Sequence, residues 1–218
     1  MKPDEIISYV DAQGRNGKQM FVTSSFQTHS IPLLHILSQC RTDILVVFIN
    51  TGYLFPETIS FRDHVVELLN LSIVNLRSDI PKLQQRDCNG SLYFASDPDR
   101  CCYLNKTAPM EKMLMQYDIW INGVRRDQNQ NRKKLELEEK APFGCTRFHP
   151  MLDWSNKMIY QYLKEHNLPK HPLEDRGYRS IGCEPCTQKI DLENMRDGRW
   201  FGLNKTECGL HTDLIEKA

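Results

Sequence analysis

The chain has 218 residues, of which 40% are hydrophobic and 26% are charged, which is enough apolar material for one main domain with a substantial core. Its 28 basic residues balance its 28 acidic residues, so no overall positive field favours nucleic acid or an anionic membrane as a partner. No signal-peptide pattern opens the chain, and no stretch approaches the ~20 apolar residues of a membrane span. We therefore expect a cytoplasmic protein with neither nucleic-acid nor membrane partners.

Three short β-branched runs, KQMFVT (18–23), DILVVFIN (43–50) and LSIVNL (71–76), alternate with segments of helical periodicity. This order predicts an α/β fold in which helices sandwich a parallel sheet joined by right-handed crossovers. The runs YDIWING (117–123) and CTRFHPM (145–151) are predicted to be two further strands.

The remaining segments are more polar. Residues 125–140, between the last two predicted strands, are predicted to form a solvated loop or a frayed helix. Ser155 is predicted to cap a helix that ends near His166. Because the apolar periodicity fades after Cys186, residues 1–186 are interpreted as the main α/β domain and residues 187–218 as a mobile C-terminal segment.

The first predicted strand leads into its helix through TSSFQTHS (23–30), the serine loop. Anions and nucleotides bind at such strand-to-helix turns, on the carboxyl edge of a parallel sheet. The loop has no glycine and fits neither the Walker nor the GxGxxG pattern. Its hydroxyls are candidate donors to phosphate oxygens, and the alternative is that they only start the helix. The candidates are Ser24, Ser25, Thr28 and Ser30.

The second predicted strand ends in INTGYLFPET (49–58), at the same edge of the sheet. Gly52 allows a tight turn there, and Pro56 suits the opening of a helix. Such a loop can shape a pocket for a flat ring with its backbone groups, although the same residues also serve as ordinary turn formers.

Four of the eight cysteines form two close pairs, the vicinal Cys101 and Cys102 and the CxxC of Cys183 and Cys186. A CxxC spacing lets two thiolates reach one metal centre. Neighbouring side chains diverge from a helix or a strand, so a vicinal pair suits a bulky centre such as a 4Fe-4S cube better than a single zinc ion. A zinc site and a thioredoxin-like redox CxxC are the alternatives.

Several basic residues and one further cysteine complete the candidates. Lys106 follows Cys102 by four positions and would return toward the sulfurs if the segment is helical. Guanidinium groups suit phosphate and sulfate oxygens, although each arginine could equally be a surface charge. Cys208 lies in the small, polar KTECGLH segment and is a candidate nucleophile, with a metal ligand or an inert thiol as alternatives. The candidate arginines are Arg125, Arg126, Arg196 and Arg199.

The ordered motifs CCYLNKTAP, GVRRDQ, SIGCEPCT and GRWFGLNKTECGLH resemble the iron-sulfur type of assimilatory adenylylsulfate reductase, in the phosphoadenylylsulfate (PAPS) reductase family. The resemblance covers the chain from about residue 20 to residue 211. It implies a fold of the adenine nucleotide alpha hydrolase (PP-loop) type. The implied activity is reduction of adenylyl sulfate to sulfite and AMP in sulfate assimilation, with thioredoxin or a similar dithiol as reductant, and a homo-oligomer is left open.

The resemblance also implies roles for particular residues. Cys208 would attack the sulfur atom and carry an S-sulfocysteine intermediate, and Lys106 would lie near both the cluster and the sulfate. Arg125 or Arg126 would hold the phosphosulfate together with Arg196 and Arg199. The serine loop and residues 52–54, which begin with Gly52, would frame the adenosine. The ligands of a 4Fe-4S cluster would be Cys101, Cys102, Cys183 and Cys186.

The sequence departs from the family pattern at three places. The PP-loop motif SGGxDS reads SFQTHS at residues 25–30, without either glycine or the aspartate. Asn105 replaces an arginine common in CCxxRK, and Asn50 replaces the aspartate of DTG. Because the SSF opening is closer to relatives that use the 3'-phosphorylated substrate, 3'-phosphoadenylyl sulfate is an alternative substrate. A PP-loop enzyme that modifies RNA and a zinc-stabilised nucleotide-binding module are the other hypotheses.

Overall fold

A computed structural model describes residues 1–189, 198–199, 210 and 214 of the chain. Its six strands form one sheet of order β3-β2-β1-β4-β6-β5, in which all neighbours are parallel except β5 and β6. The strands are β1 (Met20–Thr23), β2 (Leu45–Ile49), β3 (Ile73–Leu76), β4 (Ile119–Asn122), β5 (Glu138–Lys140) and β6 (Thr146–Phe148).

Eight α-helices are described, and most connect one parallel strand to the next. A π-helical turn at Tyr103–Thr107 joins the fifth helix to the sixth. No helix of the described residues is both long and apolar enough to cross a bilayer. The helices are α1 (Pro3–Arg15), α2 (Ile31–Leu37), α3 (Pro56–Leu69), α4 (Tyr93–Ser96), α5 (Pro98–Cys102), α6 (Ala108–Leu114), α7 (Asn156–Glu165) and α8 (Pro172–Asp175).

The central strands β1, β2 and β4 are buried on both faces because helices cover both sides of the sheet. Successive strand residues point to opposite faces, so Val22 belongs to the buried cluster that includes residues of α1, α2, α3 and α7, whereas Phe21 belongs to the cluster that includes residues of α6. Residues buried on both sides give the continuous apolar runs typical of parallel strands. The predicted α/β sandwich is therefore confirmed.

The helix predicted after Ser155 is also confirmed, since its Oγ accepts a hydrogen bond from the backbone N–H of Met158 at 3.3 Å. The prediction for residues 125–140 is wrong in part, because they end in strand β5. β5 is antiparallel to β6, and its Glu139 lies 3.9 Å from the guanidinium of the buried Arg147. Short edge strands tolerate charged residues, so β5 carries no apolar signal.

The connections place several loops at one edge of the sheet. The chain runs from β1 outward to β2 and β3, then crosses to the other side of β1 to form β4. Because β1, β2 and β4 are parallel, the loops that follow them meet at the carboxyl edge. The segment after α8 reaches the same edge, where Cys183 forms a β-bridge with Leu54.

Candidate functional site

A cavity of about 230 Å³ opens at the carboxyl edge of the sheet. Its wall combines the loops after β1, β2 and β4 with the segment of residues 179–183. No Asp or Glu belongs to the wall as far as the chain is described, so the cavity is suited to an anion. Its basic side chains are Lys106, Arg132, Arg179 and Arg199.

The serine loop forms one side of this cavity. Ser24, Ser25 and Ser30 line it, and the Oγ atoms of Ser25 and Ser30 lie 3.3 Å apart. Phe26 occupies the position of the first motif glycine and still has the left-handed backbone conformation, with φ of 52°. Such a conformation is rare for a bulky residue, so the turn keeps its shape without the glycine.

Thr28 is held away from the cavity wall. Its hydroxyl donates to the carboxylate of Glu174 and accepts from the backbone N–H of His171 at 3.0 Å. Thr28 therefore attaches the start of α8 to the serine loop, although the sequence suggested it as a phosphate donor.

Gly52 also lies outside the wall, whereas its neighbours Thr51 and Leu54 line the cavity. The backbone N–H of Gly52 donates to Oδ1 of Asn50 at 3.1 Å, and its φ of 74° is one that glycine adopts readily. Asn50 thus fixes the turn that presents Thr51 to the cavity.

The predicted arginines separate into two groups. Arg125 is 1% exposed and pairs with Asp127 at 3.0 Å, while Arg126 pairs with Asp153, and neither lines the cavity. Arg199 does line it and lies so close to Gly182 that a Cβ there would approach the guanidinium to 2.2 Å. Two further predicted residues, Arg196 and Cys208, lie outside the described part of the chain.

The sequence analysis missed several residues of the wall. Arg132 is 6% exposed and donates to the carboxamide of Gln128, and both line the cavity. Arg179 lies just before the CxxC segment. The available signal was topological, since both arginines belong to segments that reach the carboxyl edge.

His29, in the serine loop, is a neutral member of the wall. Burial and then the positive charge of Arg125 lower the pKa of its imidazole to about 4. Its Nε2 is buried without a hydrogen-bond partner in the described residues. At neutral pH the wall therefore contains the uncharged imidazole of His29.

A second, narrower cavity is lined by all four predicted ligand cysteines. Cys101 and Cys102 end α5, and the π-helical turn that follows puts Lys106 in the walls of both cavities. Single π-helical turns of this kind are frequent at functional sites. The seven cysteines of the described residues are all thiols, and no three described His, Cys, Asp or Glu side chains converge on a position for one metal ion.

The two cavities share a wall made of Thr51, Lys106 and Cys183. The Oγ1 of Thr51 lies 3.2 Å from the Sγ of Cys183. Burial acts to raise the pKa of Cys183, but Lys106, the Thr51 hydroxyl and Arg199 outweigh it, so the pKa is lowered. Burial and the neighbouring cysteine thiols raise the pKa of Cys101 to about 12.

Comparison with known proteins identifies the family. A model of the phosphoadenosine phosphosulfate reductase domain matches residues 19–189. The chain belongs to the phosphoadenosine phosphosulfate reductase family. A relative from Rhodococcus opacus, named adenosine 5'-phosphosulfate reductase, is 37% identical over 202 residues, which are 92% of this chain and 81% of the relative.

Solved structures agree on the fold of this reductase family. The PAPS reductase of Candida auris, in a phosphate complex, has a TM-score of 0.70 at 20% identity and covers 87% of this chain and 91% of its own. The FMN adenylyltransferase of Candida glabrata, with FMN and an ATP analogue, has a TM-score of 0.59 at 17% identity, over 81% and 59% of the two chains. These matches confirm the fold expected from the family resemblance.

Proposed function

We propose that this chain reduces adenylyl sulfate to sulfite and AMP in sulfate assimilation, with a dithiol such as thioredoxin as reductant. The observation that carries the proposal is the cavity at the carboxyl edge, whose described wall has four basic side chains and no carboxylate. A phosphosulfate is negative at both its phosphate and its sulfate, so it matches this wall. The name of the Rhodococcus opacus relative supports the same substrate.

We assign the nucleophile to Cys208. Its thiolate attacks the substrate sulfur, the bond from sulfur to the phosphate oxygen breaks, and AMP leaves with the electron pair of that bond. Support comes from Leu210, two positions further along the chain, which lines the cavity. Two positions of extended chain span no more than about 7 Å.

The basic side chains of the cavity wall have a role in the departure of AMP. Negative charge moves onto the departing AMP, and Lys106, Arg179 and Arg199 belong to the wall beside it, where fixed positive groups stabilise developing charge. A thiolate of the dithiol next attacks Sγ of Cys208, and sulfite leaves with the electron pair of the broken S–S bond. The first thiolate is then joined to Cys208 in a mixed disulfide, and the second thiolate of the dithiol displaces the Cys208 thiolate from it. The dithiol thus becomes a disulfide and loses the two electrons that the substrate sulfur gains.

We infer further that the four-cysteine cavity holds a 4Fe-4S cluster. The donor set fits, because thiolates ligate such clusters and four thiols line one cavity. A zinc ion would require all four sulfurs at about 2.3 Å from one point, and these side chains do not converge in that way. When bound, the cluster supplies a cross-link and a fixed local charge beside Lys106. Its ligands would be Cys101, Cys102, Cys183 and Cys186.

Steady-state kinetics test the substrate assignment. Protein purified without oxygen should release sulfite from adenylyl sulfate in the presence of reduced thioredoxin, with a larger kcat/KM than for 3'-phosphoadenylyl sulfate. A larger value for the phosphorylated substrate would assign the enzyme to that substrate instead. Failure with both substrates, together with tRNA binding, would favour the RNA-modifying alternative.

Replacement of the nucleophile tests the mechanism. Cys208→Ser should make no sulfite, because a serine hydroxyl is far less ionised than a thiol of pKa about 8.5. Wild-type protein incubated with substrate alone should gain about 80 Da, the mass of SO₃, and lose it again with thioredoxin. Cys88→Ser, at an exposed cysteine, is the matched control and should retain both properties. An adduct on another cysteine, or sulfite from Cys208→Ser, would refute the assignment.

A further inference from the structure

We propose that the side-chain amide of Asn122 reads the edge of the adenine base and sets the preference of the cavity for adenine. The inference rests on the proposed function, because it takes an adenine nucleotide to be the ligand. It adds a base-recognising residue to the phosphosulfate contacts argued above. Nothing in the sequence motifs pointed to this residue, which simply ends the apolar run of β4.

The amide of Asn122 is buried and has no partner of its own. The residue is 2% exposed, and neither Oδ1 nor Nδ2 has a hydrogen-bond partner in the described part of the chain. A buried polar group left in this state costs free energy, and native proteins satisfy nearly all such groups. Because Asn122 lines the cavity, the missing partners are expected from its ligand.

The position of Asn122 is the one where nucleotides bind in open α/β sheets. The sheet order changes direction between β1 and β4, and ligands bind outside the carboxyl ends of the strands at such a switch point. Thr23, the last residue of β1, pairs with Asn122 across this point. Both residues line the cavity together with Ile49, the last residue of β2.

The hydrogen-bonding groups of the Asn122 amide indicate which part of the ligand it contacts. It offers an acceptor at Oδ1 and a donor at Nδ2, whereas phosphate and sulfate oxygens only accept. An adenine edge presents an amino group beside a ring nitrogen, a pattern that asparagine pairs with through two hydrogen bonds. The apolar wall residues Ile49, Leu54 and Val124 suit the faces of a flat ring.

Equilibrium binding of three nucleotides to the full chain, purified without oxygen, tests the inference by calorimetry. AMP should bind to the wild type about tenfold more tightly than purine riboside 5'-monophosphate, which lacks the 6-amino group. Asn122→Ala should bind the two equally, with the weaker affinity. Asn122→Val, whose β-branched side chain suits a strand and has no hydrogen-bonding group, should do the same, and Asn89→Ala, at an exposed residue, should behave like the wild type.

The outcomes separate this inference from the proposed function. If AMP does not bind to the wild type, the proposed function fails and the inference fails with it. If AMP binds but the purine analogue binds equally well, only the inference fails. A loss seen with 2'-deoxy-AMP and abolished by Asn122→Ala would assign the amide to the ribose and overturn the base contact. The wild-type comparison requires no substitution, so equal binding of AMP and the purine analogue would overturn the inference even if a variant does not fold.

Discussion

Arg125 and Arg199 carry the same charge, but their neighbours give them different positions relative to the cavity. Arg125 donates from Nε to Asp127 at 3.0 Å and from Nη2 to Oδ1 of Asn156 at 2.5 Å, so two of its three guanidinium nitrogens are engaged within the protein. Arg199 lies against Gly182 and lines the cavity. The absence of a side chain at Gly182 is what makes this position available to the guanidinium.

Gly182→Ala should therefore weaken substrate binding without unfolding the protein. The new methyl group would occupy the place of the Arg199 guanidinium, and this flexible side chain can move away. A charge-assisted hydrogen bond contributes about 1.5–3 kcal/mol, so we expect KM for adenylyl sulfate to rise about tenfold or more. Steady-state kinetics and thermal unfolding of the same preparations measure the two effects.

Arg199→Gln supplies the matched comparison for this prediction. If Gly182 acts through Arg199, the double variant should be no worse than Arg199→Gln alone, since residues that share one interaction are not additive. Fully additive losses would show that Gly182 has another role.

Sequence motifs predicted the types of residue at the site more reliably than the particular positions that line it. Lys106 was predicted to return toward the cysteines, and it lines both cavities. Arg125 and Arg126 could not be separated from the cavity arginines, because their orientation depends on Asp127 and on the distant Asp153. Asn122 was missed because burial and an absent hydrogen-bond partner are properties of the folded chain alone.

At the scale of elements, strand β6 is followed directly by a buried histidine whose surroundings favour the neutral imidazole. His149, directly after β6, is 0% exposed, and its Nδ1 lies 3.0 Å from the carbonyl oxygen of Glu136. Burial, Arg147, Arg132 and Arg126 lower the pKa of His149 to about 3, against the smaller opposing effect of the Glu136 carbonyl. In the unfolded chain the same group titrates near 6.5.

We expect stability to fall as the pH drops below about 6.5, because the unfolded state then binds a proton that the folded state does not. At pH 5.5 this one group should cost about 1.4 kcal/mol relative to pH 7.5. His149→Asn, whose amide can still donate to the Glu136 carbonyl, should lose less stability between pH 7.5 and pH 5.5 than the wild type does. The expected difference is the same ~1.4 kcal/mol. Denaturant unfolding at the two pH values measures it.

Asn89→Ala, at an exposed residue without a titratable group, provides the control for this experiment. This variant should leave the pH dependence of unfolding as in the wild type. An unchanged dependence in His149→Asn would mean that the buried imidazole does not couple folding to protons.

The elements themselves were predictable where their residues carry a period or a cap. The parallel strands β1 to β4 follow from apolar runs, and α7 follows from the cap at Ser155. β5 could not be predicted, because Glu138–Lys140 has no apolar residue and forms only by pairing with β6. α1 was missed as well, although it has a Pro start and acidic first turn typical of a helix N-terminus.

For the whole molecule, the cysteine cavity connects segments that are distant in the chain. The backbone N–H of Glu184 donates to the carbonyl of Tyr53 at 2.7 Å, and Cys183 contacts Thr51. The vicinal thiols of Cys101 and Cys102 lie at the end of α5. A cluster held here would therefore cross-link helix α5 to the CxxC segment, which also contacts the loop after β2.

Protein purified without oxygen should be brown and contain about four iron and four sulfide per chain, as expected for a cubane. Cys183→Ser should remove the colour and lower the thermal unfolding temperature, because the cross-link is lost. Cys88→Ser should retain colour, iron and sulfide, since Cys88 is exposed and does not line the cavity. Colourless wild type with one zinc per chain would contradict the cluster and support the zinc-module hypothesis.

The position of β1 in the sheet has a consequence for synthesis of the protein on the ribosome. β1 lies between β2 and β4, but Thr23 and its β4 contact Trp120 are 97 positions apart. At about 5–20 residues per second, these two residues are made about 5–20 s apart. Throughout that interval one hydrogen-bonding edge of β1 has no strand beside it, and such edges recruit other chains. β1, which has a strand on each side in the finished protein, therefore has an edge open to aggregation while the chain is being translated.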